Sequence, residues 1–162
     1  MPKNPQAEIF RSLLFSAGEE ARRRGDRRIG TEHLLLGLLH SEGSPAAVAL
    51  GASLGDVRAE ADALDVVALS AVGVEVESLV PVLSVKSARR LPPLTSGARA
   101  VLKGALDTAK PRRRGHLSST HFLLALLALR APDPAAALLD AIGVDRAALI
   151  MRLSSPGEGQ VA

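Results

Sequence analysis

Apolar residues recur along this chain at intervals of about three and four positions, the spacing of one face of a helix, and not in alternation. Ile9 to Arg24 (IFRSLLFSAGEEARRR) and Thr95 to Lys110 (TSGARAVLKGALDTAK) show it over helical lengths. The pattern predicts helices near 7–24, 31–41, 45–51, 54–64, 95–110, 119–130, 134–142 and 145–153. The stretch 65–92 is expected to hold one or two short helices around Gly73, with an extended Val74–Val85 as the alternative. Pro92-Pro93 ends that stretch, because proline lacks the N–H a helix interior needs. The tail from Ser154 (SSPGEGQVA) is expected to be disordered.

The same pattern occurs twice. IGTEHLLLGLL at 29–39 aligns with LSSTHFLLALL at 117–127 when His33 is laid on His121. Downstream, Pro45-Ala46-Ala47-Val48-Ala49-Leu50 resembles Pro134-Ala135-Ala136-Ala137-Leu138-Leu139, and each run is followed by a glycine, Gly51 or Gly143. A shorter unit appears at Leu50-Gly51-Ala52-Ser53, Val72-Gly73-Val74-Glu75 and Ile142-Gly143-Val144-Asp145. It reads as a helix stop followed by a helix start. Glycine takes the left-handed position, and Ser, Asp or Glu then supplies an oxygen or a negative charge to the next N-terminus. Ser53 with Asp56 approximates a capping box. The expected organisation is repeat one at about 8–64, a linker at 65–92 and repeat two at about 93–153.

Composition narrows the picture. The 162 residues, 47% hydrophobic and 23% charged, suit one globular domain with a real core. Aromatics make up 2%, so that core is aliphatic. The absence of cysteine excludes disulfides, thiolate metal sites and cysteine nucleophiles. No apolar run reaches the roughly 18 residues that span a bilayer, and MPKNPQAEIFRS lacks the apolar stretch of a secretory signal. A soluble, cytoplasmic protein without membrane association is expected.

Candidate chemistry is sparse. Gly51-Ala52-Ser53-Leu54-Gly55 matches G-x-S-x-G, but that elbow needs a strand before its serine. The sister units put Glu75 and Asp145 in the place of Ser53, as a cap requires. His33 and His121 hold equivalent places just inside a helix start, which fits a hydrogen bond fixing the helix entry. With His40 and His116 they lack the spacing of a zinc site, so no metal is expected. No Walker A cradle and no G-x-G-x-x-G occurs, and no cofactor is expected. The net charge of +3 and two arginine clusters, Arg22–Arg24 with Arg27-Arg28 and Arg112–Arg114, raise a nucleic-acid or regulatory alternative. Missing aromatic platforms and the interspersed Glu19, Glu20 and Asp26 weigh against it.

The run Ile29-Gly30-Thr31-Glu32-His33-Leu34-Leu35-Leu36-Gly37-Leu38 resembles the signature of the Clp amino-terminal (Clp R) repeat domain, which begins the ClpC- and ClpA-type AAA+ unfoldases. Glu19-Glu20-Ala21-Arg22 is similar to the ending of that family's first helix. The resemblance covers roughly residues 8–153 and implies an all-α, pseudo-twofold domain of two four-helix repeats, here with a longer linker. It further implies a domain that binds substrates and adaptors and is not an enzyme; a monomer is expected. Without the ATPase modules, a stand-alone member is expected.

The resemblance also implies two kinds of site. In ClpC-type domains each repeat can bind phosphoarginine, an acid meeting the guanidinium and a Phe-Thr at the start of the first helix helping to hold the phosphate. Repeat one keeps the acid, Glu32, but has Gln6-Ala7 for Phe-Thr; repeat two keeps Leu94-Thr95 but has Thr120 for the acid. Each site has thus lost half of its usual partners. For Glu32 the plainer alternative is an acid complementing the helix dipole. The family's hydrophobic groove, where adaptors and cyclic peptides dock, corresponds to Arg11, Leu14, Phe15 and Gly18 with Leu94, Arg99, Leu102 and Lys103. Leu94 replaces a usual Phe and Lys103 a usual acid. The implied partners are Clp protease components or adaptors, protein substrates, and phosphoarginine or cyclic-peptide ligands.

Overall fold

The computed structural model describes residues 5–73, 90–109 and 116–155. Among them the chain forms eight helices: α1 (Pro5–Arg24), α2 (Thr31–Leu39), α3 (Pro45–Leu50), α4 (Leu54–Ala71), α5 (Ser96–Ala109), α6 (Ser119–Leu127), α7 (Pro134–Ala141) and α8 (Arg146–Ser154). No helix among the described residues is long and apolar enough to cross a membrane.

The helix starts follow local chemistry. Ser44 Oγ accepts from Ala47 N, Ser53 Oγ from Asp56 N, and Asp145 Oδ1 from Ala148 N, so each short side chain satisfies an N–H that its helix leaves unpaired. Gly51, Gly73 and Gly143 all lie at positive φ, between 68° and 80°, where a Cβ would be strained. Ser53 also donates to Asp56 Oδ2 at 2.7 Å, which completes its cap. A helix and a turn, not a strand, precede it, so the G-x-S-x-G match is helix punctuation.

Two boundaries depart from the sequence pattern. α4 runs on to Ala71, through residues read as the start of the linker, because nothing between Leu54 and Ala71 breaks a helix after Gly55 and the stop comes only at Gly73. α6 ends at Leu127 rather than 130, short of Pro132, which disfavours helical geometry at the residue before it. Val74–Val85, Glu75 and the tail beyond Ser155 lie outside the described residues.

The two repeats interlock reciprocally. Thr31, at the start of α2, donates its hydroxyl to Asp133 Oδ1 at 2.8 Å, at the start of α7. Ser119, the equivalent residue at the start of α6, accepts from Ala46 N at 3.2 Å, at the start of α3. Each repeat's second helix thus braces the third helix of the other. α2 is buried along almost its whole length, as its continuous Leu run requires. Gly37 lets it approach α1 closely, since a Cβ there would come within 2.9 Å of Ala17 N. Leu34, Leu35, Leu36, Phe122, Leu123, Leu126 and Leu127 are fully buried, each stabilising the fold by about 1.5–3 kcal/mol relative to exposure.

Repeat one also contains a buried ion cluster. Glu20 of α1 receives Arg58 Nε of α4 at 3.1 Å and Arg23 Nε at 3.2 Å, and pairs with His40 Nε2 at 2.7 Å. Burial works against its charge. The hydrogen bonds from Arg58 and His40, the Arg58 charge and Arg23 outweigh that, and the Glu20 pKa falls from 4.5 to about 2.

Candidate functional site

The second-helix starts are built alike. In repeat one, Gly30 N–H donates to His33 Nδ1 at 2.9 Å. The ring proton then sits on Nε2, which donates to Asp26 Oδ2 at 3.0 Å. In repeat two, Ser118 N–H donates to His121 Nδ1 at 3.1 Å. Both histidines fix a helix entry, the role their equivalent positions indicate in the sequence.

Glu32 stands between these parts. Its side chain is 19% exposed, and Oε1 lies 3.6 Å from His33 Nδ1. Oε2 is buried and has no hydrogen-bond partner. The carboxylate lies back over Gly30, where a Cβ would overlap it. It helps to line a cavity of about 580 Å³ with Arg24 and Asp26, Asp65 and Leu64 of α4, and Pro134 and Leu138 of α7. Arg24, whose side chain is 10% exposed, lies 2.6 Å from Asp65 and 3.4 Å from Asp26, and its Nη1, which makes no hydrogen bond, lies 3.6 Å from Asp62 Oδ1.

Asp26, Glu32 and His33 bring their ligand atoms within 4.8 Å of one another. Both ring nitrogens of His33 are already engaged, and Arg24 places a cation beside Asp26. A metal ion would have to displace the helix cap and tolerate that guanidinium.

The structure pairs the ends of the helices across the repeats, not within them. Ile29 and Leu94 form a parallel bridge; Ile29 N donates to Pro93 O and Thr95 N to Ile29 O, each at 2.9 Å. The start of α5 therefore stands beside the start of α2. The first turn of α1, Glu8 and Ile9, shares a cavity of about 440 Å³ with Ser118 and Ser119 at the start of α6. Gln6-Ala7 is separated from Glu32 by most of the 20-residue α1, about 30 Å long. Glu32 and Thr95, retained in different repeats, thus fall at one junction, and Gln6-Ala7 and Thr120 at the other. Counting within repeats, each site lacks half of its partners; counting across them, one junction holds both retained residues. Thr95 Oγ1 accepts from Ala98 N at 3.1 Å and caps α5.

The residues matched to the groove are less uniform. Arg11, Arg99 and Lys103 are exposed and Phe15 is 61% exposed, whereas Leu14 and Leu94 are half-buried and Leu102 belongs to the core. Arg99 Nη2 donates to Leu94 O at 3.1 Å. Gly18 is covered by the chain itself: a Cβ there would lie 2.7 Å from Leu91 Cδ2. Arg22 holds this covering segment by donating to Arg90 O at 3.0 Å.

The sequence marks Arg24 only as part of a basic cluster and Asp26 only as a charge diluting it, and it does not mark Asp65. Their signal is faint: an arginine and an aspartate flanking Gly25, and Asp62 and Asp65 one turn apart on α4. The first arginine cluster is largely neutralised, Arg22 by Glu19, Arg23 by Glu20 and Asp62, and Arg24 by Asp26 and Asp65. Arg112–Arg114 lie outside the described residues.

The sequence matches the profile of the Clp repeat (R) N-terminal domain over residues 7–142. It is 31% identical over 137 residues to Chaperone protein ClpC1, chloroplastic, of Oryza sativa subsp. japonica and to its namesake in Arabidopsis thaliana. It is 29% identical over 136 residues to an ATP-dependent Clp protease ATP-binding subunit ClpA homolog of Cyanidium caldarium. Each alignment takes in 82% of this chain, which spans 13% of the first two relatives and 14% of the third.

Proposed function

Because the chain belongs to the Clp repeat (R) N-terminal domain family, we propose that it is a non-catalytic binding module of the Clp protease system that recognises protein substrates, adaptors or peptide-like ligands. Two surfaces serve this role. One is the Glu32 corner, with Thr95 at the same junction. The other is the groove that the resemblance matches to α1 and α5, where Phe15 offers an exposed ring and Arg11, Arg99 and Lys103 supply positive charge. Sequestration of such ligands from an unfoldase is one concrete mechanism.

The observation that carries this reading is the buried Glu32 oxygen without a partner, at a cavity wide enough for a side chain. A buried carboxylate oxygen that lacks a donor is costly, and a ligand that brings a cationic donor removes that cost. Calorimetric titration with arginine peptides, phosphorylated or unmodified, and with cyclic peptides that bind the family's groove tests it. Heat with at least one is expected, weakened by Glu32→Gln for a ligand of the corner or by Phe15→Ala for a ligand of the groove. No heat with any of them contradicts the reading.

A further inference from the structure

The reading of the Glu32 corner as a binding site leaves open which charged group it prefers. We propose that the Glu32 pocket takes the unmodified side chain of an arginine presented on a peptide, in preference to phosphoarginine. This inference rests on that reading and adds the ligand's charge state.

Three observations carry it. First, the ionisable residues lining the pocket are three carboxylates, Asp26, Glu32 and Asp65, against one guanidinium, Arg24. Arg24 is itself bonded to Asp65 at 2.6 Å and lies 3.4 Å from Asp26, so its charge is already met. A dianionic phosphate would enter a net negative site whose cation is taken, whereas a guanidinium enters a complementary one. Thr95, the residue that resemblance assigns to the phosphate, does not line this pocket and caps α5 instead.

Second, Glu32 Oε2, at this same pocket, is a buried polar atom without a hydrogen bond. The guanidinium of an arginine on a peptide supplies the donor it lacks. Third, the walls between the charges are aliphatic, Ala61, Leu64 and Leu69 of α4 facing Ala137 and Leu138 of α7. They suit the methylene stem of a long basic side chain. The equivalent junction in repeat two has Thr120 in the place of the acid and supports no such ligand.

The test is calorimetric titration of the unmodified chain, at low ionic strength, with blocked alanine peptides carrying one central arginine, phosphoarginine or citrulline. The arginine peptide is expected to bind, and the phosphoarginine and neutral citrulline peptides about tenfold or more weakly. Glu32→Gln should weaken the arginine peptide by about tenfold without moving the melting temperature. Asp65→Asn, which removes a negative charge at the far side, should narrow the preference between the two arginine forms. Tighter binding of the phosphoarginine peptide overturns the inference and leaves the corner standing as a binding site. Equal binding of arginine and citrulline also overturns it. Binding of neither arginine form overturns it together with the Glu32 half of the proposed function, while the groove half is judged by the cyclic peptides.

Discussion

The two second-helix starts share a plan but not a charge. At both, a histidine in the first turn accepts a hydrogen bond from the N–H of the residue before the helix, and a hydroxyl one residue into the helix reaches across to the third helix of the other repeat. Between hydroxyl and histidine stands Glu32 in repeat one and Thr120 in repeat two. The flanking residues hold the fold, and both copies keep them. The residue between them makes no hydrogen bond through its buried Oε2 in repeat one, so it is free to differ. A duplicated scaffold can in this way keep its architecture twice and its chemistry once.

The interior shows a second asymmetry. Repeat one buries Glu20 among Arg58, His40 and Arg23, whereas the equivalent residue of repeat two, Thr108, is exposed and donates to Gly104 O at 2.8 Å. α4 of repeat one is thereby tied to α1 by charge.

The largest expected effect probes what the repeats have in common. Phe122 and Leu34 occupy equivalent, fully buried positions. Phe122→Ala should cost about 4 kcal/mol and Leu34→Ala about 3 kcal/mol, each lowering one shared unfolding transition in urea. Two separate transitions would show that the interlock does not couple the repeats. Next comes the ion cluster. Glu20→Ala leaves a partly buried guanidinium without its partner and should cost about 3 kcal/mol, against at most about 0.5 kcal/mol for Thr108→Ala. Because the folded pKa of Glu20 is held at about 2, below its ordinary 4.5, the stability it supplies is fully present above that ordinary value. It is lost as pH falls from about 4.5 towards 2, and urea midpoints across that window should drop less in Glu20→Gln than in the unmodified chain.

Smaller effects separate the two caps. His33→Ala removes a fully buried ring bonded on both nitrogens and should cost about 2 kcal/mol. His121→Ala, at a half-buried site, should cost about 1 kcal/mol by the same denaturation assay. The smallest stability change is expected at the variable position: Glu32→Gln and Thr120→Glu should each stay within about 0.5 kcal/mol.

Much of the fold is legible in the sequence because it rests on local signals. The glycines at 51, 73 and 143, the capping Ser53 and Asp145, and the repeated leucine runs each act within a few residues of themselves. The end of α4 is not legible, because the composition turns valine-rich before any residue breaks the helix. The candidate site was legible only in part. Glu32 is marked by the run it belongs to. Asp65 joins Arg24 and Asp26 only when α4 folds back against the end of α1, a pairing that no sequence spacing encodes. The crossed placement of Thr95 beside α2 is likewise set by how the repeats dock, through a single pair of bonds to Ile29.

The central claim is that one corner of the doubled scaffold, and not its counterpart, grips a charged segment of another chain. Amide chemical shifts followed by NMR during titration with the arginine peptide test it most directly. The account predicts shifts concentrated at Arg24, Asp26, Gly30 to His33 and the adjoining face of α4, with Ser118 to His121 unmoved. Equal shifts at both corners, or shifts confined to the second, would contradict it.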